Sequence, residues 1–161
     1  MQPAVNAMPA RSESASTLSK IDRALLMVIA ILSLAGVIVS AVSLQRHYAK
    51  SATGFCEIGE KFNCDIVNRS EYSSIMDIPV AGIGVAGYGV LLVLATFYRA
   101  RPETALWLLL AAGAGLAFAL YLTYVEGFIL DTWCILCLSS LAVISTITVL
   151  AFVLKFRRRF S

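Results

Sequence analysis

Charge is scarce in this sequence of 161 residues, at 14% of the total, and the scarcity excludes an ordinary water-soluble domain, in which about a quarter of residues are charged. Apolar residues instead reach 59% and mean hydropathy is +0.81. Lipid is therefore the expected solvent for most of the chain. A continuous basic face is also missing. The net charge of +3 comes from a few clusters beside apolar runs, which bears on membrane orientation and speaks against nucleic-acid binding. Residues 1–20, rich in Ser, Ala and Pro, lack a helical apolar stripe and cannot bury enough surface to offset chain entropy. They read as a disordered tail, with residues 21–161 forming one domain.

Four stretches contain no charge at all: 24–44, 78–98, 105–125 and 135–154. At the helical rise of about 1.5 Å per residue each matches a hydrocarbon core roughly 30 Å thick. The expected fold is all-α, an integral membrane four-helix bundle. A signal peptide is the competing reading of the first stretch, with Arg11, Lys20 and Arg23 as its basic region and Val39, Ser40 and Ala41 as small residues for cleavage. The apolar span exceeds the roughly 7 to 15 residues of a signal core, so a retained helix is favoured.

Lys and Arg are absent from the turn between the third and fourth stretches. They gather before the first (Arg11, Lys20, Arg23), between the second and third (Arg99, Arg101) and after the fourth (Lys155, Arg157, Arg158, Arg159). The positive-inside rule then puts both termini in the cytoplasm and the first and third loops outside, for a multi-pass protein of the plasma (inner) membrane. In the second stretch, Asp77 is expected to cap the helix and Pro79 to sit in its first turn. Gly82, Gly84, Gly87 and Gly89 follow, which means either close backbone packing or room for a flat ligand ring.

Only four cysteines occur, and all fall on the expected outer side, where disulfides are chemically allowed. Cys56 and Cys64 lie in the first loop; Cys134 and Cys137 form a Cys-x-x-Cys pair at the start of the fourth helix. Two cysteines three apart on a helix share a face, with β-carbons about 5 to 6 Å apart, close to what a disulfide tolerates. Free amides of a first helical turn are expected to lower the thiol pKa, with Asp131 or Thr132 as a cap. Each pair has an inert reading: a static disulfide bracing the loop, and small residues in helix packing. A four-thiolate zinc site is disfavoured by the long separation and the oxidising side, so no metal is expected. Both pairs at one membrane face favour relay chemistry. His47 reads as interfacial, and Tyr88, Tyr121 and Tyr124 as packing or interface aromatics. Glu126 and Asp131 read by default as solvated surface, with capping or proton delivery as the sharper alternative.

The run Phe55-Cys56-Glu57-Ile58-Gly59-Glu60-Lys61-Phe62-Asn63-Cys64, then Val67 and Ser70, Ile78-Pro79-Val80-Ala81 with Gly84 and Tyr88, and Trp133 to Cys137 resemble the vitamin K epoxide reductase family, in particular its bacterial homologues. The resemblance covers everything from the first helix through the fourth. It implies a bundle with a cysteine-bearing extracytoplasmic loop between helices one and two, holding a quinone, ubiquinone or menaquinone, near Cys137. It further implies exchange of Cys134 with a loop cysteine, left unassigned between Cys56 and Cys64, and electron delivery to Cys56 and Cys64 from a partner thiol. Ser70 matches a family serine positioned either to donate to a quinone oxygen or to close a turn. The vertebrate epoxide reductases look to use an asparagine and a tyrosine where this chain has Val80 and Leu141, so plain quinone reduction is favoured over epoxide reduction. Many bacterial relatives resemble fusions with a thioredoxin-like domain; here six residues follow Lys155, and a separate thioredoxin-like, DsbA-type partner is expected. The other readings are a DsbB-type quinone reductase, whose cysteine pairs come in the reverse order, and a non-catalytic tetraspan scaffold.

Overall fold

The computed structural model describes residues 20–48, 63–75, 78–101 and 103–160. Among the described residues, five α-helices run in chain order: α1 (Lys20–Tyr48), the short α2 (Cys64–Arg69), α3 (Val80–Thr96), α4 (Thr104–Phe128) and α5 (Ile135–Phe160). A single 3-10 turn (Glu71–Ser73) follows α2, and strands β1 (Ser74–Ile75) and β2 (Ile78–Pro79) pair antiparallel, Ser74 with Pro79 and Ile75 with Ile78. Cys56 and Asp77 lie outside the described residues.

The helices α1, α3, α4 and α5 form the four-helix membrane bundle. α1 packs on α3, α3 on α4, α4 on α5, and α5 back on α1, which closes a ring. Three of them are long and apolar enough to cross a bilayer on length and composition; α3 is an apolar helix of 17 residues. The pattern along α1 gives the reason in side chains. Its buried stripe begins with Leu26 and Ile29 and continues with the small, partly polar Ser33, Gly36, Ser40 and Ser43, while along the same stretch Met27, Ile31, Leu34 and Ile38 point outward. Water would invert that arrangement. Lipid permits it, because small residues let helices approach and buried hydroxyls find local acceptors, as Ser33 Oγ does by donating to Ile29 O at 2.7 Å.

Close approach is concentrated at Gly36. A β-carbon there meets the Tyr88 ring of α3, lying 2.6 Å from its Cγ and closer to two other ring atoms. Tyr88 uses the space to cross the bundle, its hydroxyl 2.9 Å from both the carbonyl and the hydroxyl of Ser140 on α5. Gly84 is the second tight position, against Ser40.

The two ends of the bundle differ in chemistry. At one, Asp22 of α1 faces Arg157 at 3.5 Å and Arg158 at 4.0 Å. Arg158 also donates to the carbonyls of Arg101 and Arg99 at 3.1 and 3.2 Å, so the α3–α4 turn and the end of α5 are tied together. The opposite end carries α2, the short sheet and the turn between α4 and α5.

Helix bounds depart from the uncharged stretches in two ways. α1, α4 and α5 run on past their apolar spans into interfacial residues, and Lys20, assigned from sequence to the tail, is the first residue of α1. α3 starts two residues later than the second stretch because Ile78 and Pro79 are engaged by β1. Pro79 consequently occupies the cap position rather than the first turn, and no side-chain cap is made there.

Candidate active site

The sulfurs are assembled by two short segments held together through their backbones. Asn63 N–H donates to Trp133 O at 3.2 Å, joining the segment ahead of α2 to the one ahead of α5. Asn63 Oδ1 accepts from Ile66 N–H at 3.1 Å and so caps α2, which sets Cys64 in its first turn. Cys64 and Cys134 are both fully buried and pack with Val67, with Leu130, Leu136 and Cys137 around them. The Cys64 and Cys134 side chains are hydrogen-bonded to each other. Of the two loop cysteines that the sequence left open for exchange with Cys134, Cys64 lies in contact with it, and Cys56 lies outside the described residues.

The turn from α4 into α5 is organised by Glu126. Its backbone carbonyl accepts from Thr132 N–H at 3.1 Å, and its side-chain Oε2 accepts from Cys134 N–H, also at 3.1 Å. Asp131 takes a positive φ of 47°, which reverses the chain. Aspartate tolerates that left-handed region better than most residues. The Trp133 ring lies over Gly127, where a β-carbon would come within 3.0 Å of it.

Three sequence expectations are corrected here. Neither Asp131 nor Thr132 is found capping α5: the Thr132 hydroxyl donates to Leu130 O at 3.1 Å, and the Cys134 amide is taken by Glu126. Glu126 is 1% exposed, not solvated surface; nothing in an isolated Glu near a helix end announces that the following turn folds back over it. Cys134 is not a low-pKa thiol. The Cys137 sulfur hydrogen-bonded beside it holds its pKa well above the ordinary cysteine range, and burial adds to the effect although Cys64 opposes it. The proximity of a second sulfur outweighs the helix-start amides.

The Oε of Glu126 and the sulfurs of Cys134 and Cys137 lie within 4.8 Å of one another. Three donors are one fewer than a closed structural zinc site employs, and a thiol pair with an adjoining carboxylate is suited to exchange and proton transfer. Cys134 and Cys137 are not joined to each other and stand as two thiols.

Cys137 also borders a cavity of about 440 Å³ between the helices, within the roughly 300 to 1,000 Å³ usual for small-molecule sites. Gly84, Gly87 and Tyr88 of α3, Phe118 of α4 and Ser140 of α5 line it. A β-carbon at Gly82, Gly87 or Gly89 meets nothing within 4 Å, so close packing accounts for Gly84 alone, while Gly87 leaves room beside the cavity. A largely apolar space of this size with a thiol at its edge has room for a quinone ring. Ser70 lines the cavity too, but its hydroxyl donates to Val67 O at 2.8 Å, closing the turn after α2. His47, expected just past the first helix, belongs to α1 and sits at the cavity wall against Tyr48.

A membrane bundle with a dithiol, Cys134 buried and Cys137 half-buried, beside an apolar cavity has the parts of an integral membrane oxidoreductase. The sequence profile of the vitamin K epoxide reductase family matches residues 27–152. The chain belongs to that family. A search for individual relatives among curated proteins gave no match.

Proposed function

We propose that the chain is a thiol:quinone oxidoreductase of the plasma membrane that reoxidises a separate thioredoxin-like, DsbA-type protein and passes the electrons to ubiquinone or menaquinone. One observation carries the reading: Cys64 touches Cys134, while Cys137 of the same pair borders the apolar cavity. The sulfurs therefore span from the loop side of the bundle to its lipid-like interior. Arg99 and Arg101 of the α3–α4 turn and Arg157 and Arg158 of α5 gather at the other end, beside Asp22 of α1, which by the positive-inside rule supports an extracytoplasmic cysteine end and cytoplasmic termini.

The relay runs by thiolate attack on disulfide sulfur. A reduced partner attacks the Cys56–Cys64 disulfide and leaves oxidised. Cys64, now a thiol in contact with Cys134, attacks the Cys134–Cys137 disulfide at Cys134 and releases Cys137. Cys56 resolves the Cys64–Cys134 bond, which leaves Cys134 and Cys137 reduced. A quinone, when bound, supplies an acceptor for two electrons and two protons. Cys137 is the sulfur at the cavity and the donor to it; Ser70 contributes cavity wall, its proton engaged by Val67. Val80 lines the cavity without a side-chain donor, which favours plain quinone reduction over epoxide reduction.

The test is to purify the Cys137→Ala variant and compare it with wild type. Wild type reduces a short-chain ubiquinone analogue at the expense of a reduced thioredoxin-like protein. Cys137→Ala cannot form the Cys134–Cys137 disulfide and reduces no quinone, whereas Cys56→Ala, which lacks the resolving thiol, accumulates a Cys64–Cys134 disulfide when quinone is supplied, read by mass spectrometry. A non-catalytic scaffold instead keeps one thiol state with or without quinone, and that result refutes the reading.

A further inference from the structure

Glu126 has a feature that the relay does not use. Its carboxylate is 1% exposed at the last turn of α4. Oε2 accepts the Cys134 amide at 3.1 Å, but Oε1 is buried with no hydrogen-bond partner among the described residues. A buried acceptor left unsatisfied is costly, and Glu126 borders the same cavity as Cys137. The Cys137 thiol lies within reach of the carboxylate, with the relevant atoms no more than 4.8 Å apart. The other titratable groups facing this region are Cys134, Cys64 behind it on α2, His47 on α1, Tyr72 in the 3-10 turn and Tyr88 on α3. Tyr88 is engaged with Ser140 and Cys64 with Cys134, and His47 and Tyr72 lie on the cavity wall formed by α1 and the 3-10 turn.

We propose that Glu126 is the catalytic proton carrier of the Cys134/Cys137 pair: Oε1 takes the Cys137 thiol proton as electrons leave that sulfur and returns it to an oxygen of the acceptor in the cavity. The inference rests on the thiol-to-quinone reading above. The step balances. Two S–H bonds break and one S–S bond forms between Cys134 and Cys137. Two electrons and two protons leave the pair, and the quinone taking them becomes a quinol. Glu126 begins and ends as a carboxylate, passing on first the Cys137 proton and then the Cys134 proton. Oε2, fixed by the Cys134 amide, keeps the carboxylate aimed throughout.

Glu126→Gln retains an oxygen for the Cys134 amide and removes the proton acceptor. Two readouts separate the chemistry from mere support. The first is single-turnover reduction of a short-chain ubiquinone analogue by protein pre-reduced with dithiothreitol, across a pH series. General acid–base catalysis contributes about a hundredfold or more, so the variant is expected to slow by that factor. The fall in wild-type rate on the acid side, where the carboxylate protonates, is expected to vanish. The second, with no quinone present, is the rate at which maleimide alkylates Cys137. Removing a neighbouring negative charge favours the thiolate, so alkylation holds or quickens while quinone reduction slows. Rate and pH profile equal to wild type overturn the proposal, and so does a variant in which both readouts slow together. Glu126→Asp, which keeps the carboxylate, is expected to retain the acid-side fall at a reduced rate; its loss there likewise overturns the proposal. A wild-type protein that reduces no quinone removes the parent reading and this one with it, whereas an active wild type matched by Glu126→Gln removes this one alone.

Discussion

Gly36→Ala is expected to destabilise the bundle through Tyr88 and through nothing else. The added β-carbon would stand 2.6 Å from the ring Cγ of Tyr88, against a comfortable separation of about 3.5 to 4.0 Å. The ring must therefore retreat by roughly 1 Å, within a site where Tyr88 is buried and its hydroxyl holds Ser140 at 2.9 Å. Overpacking of this kind costs about 1–3 kcal/mol, and the strained hydrogen bond about 1 kcal/mol more. Against this, alanine favours a helix over glycine by about 1 kcal/mol. The net expectation is a loss of about 1–3 kcal/mol, measured by equilibrium unfolding in mixed micelles. In a Tyr88→Ala background the obstacle is gone and only the helix preference remains, so Gly36→Ala there is neutral or stabilising by up to about 1 kcal/mol. The sign of the substitution reverses between the two backgrounds. An equal penalty in both refutes the packing argument. The contact has a functional side, since Ser140 is one turn beyond Cys137 on α5: Gly36→Ala is expected also to slow quinone reduction, with Tyr88→Phe separating the hydroxyl's share from the ring's.

Cys134 is held above the ordinary cysteine range chiefly by Cys137, so it stays a thiol at neutral pH; maleimide labelling resolved by peptide mass should find it slow until strongly alkaline pH, and Cys137→Ala should move that rise to lower pH. Labelling of Cys134 at neutral pH as fast as a free thiol contradicts this assignment. Gly87→Leu projects a side chain into open space beside the cavity, since nothing lies within 4 Å of an added β-carbon. Unfolding stability is expected to change by less than about 1 kcal/mol, whereas KM for the quinone analogue rises at least tenfold; an unchanged KM removes the cavity as the acceptor site.

The relation between sequence and structure differs from element to element. The four spanning helices were legible because the requirement is local: a helix in lipid must satisfy its own backbone and be apolar over about 20 residues. Uncharged runs state that directly, and the scatter at the ends reflects only where helix continues into the interface. The start of α3 was misjudged because pairing of Ile78 and Pro79 with Ser74 and Ile75 is a contact between segments, invisible to a reading of one run at a time. The glycines of α3 were recognised as a group, yet they divide: Gly84 is packed against Ser40 and Gly87 faces space. Their spacing carries no information about which neighbour stands opposite.

The sequence by itself determined a four-helix membrane bundle, the family, and the sulfurs to examine, because apolar run length and cysteine order are properties of the chain read in line. Only the tertiary structure decided that Cys64 meets Cys134, that a neighbouring sulfur raises the Cys134 pKa against the pull of helix-start amides, and that Glu126 is buried beside the pair with one oxygen unengaged among the described residues. Each of these depends on segments some seventy residues apart, or on a turn folding back on its own helix. Contact, burial and charge environment are set by what surrounds a group, and the order of residues along the chain does not specify that surrounding until the helices have packed.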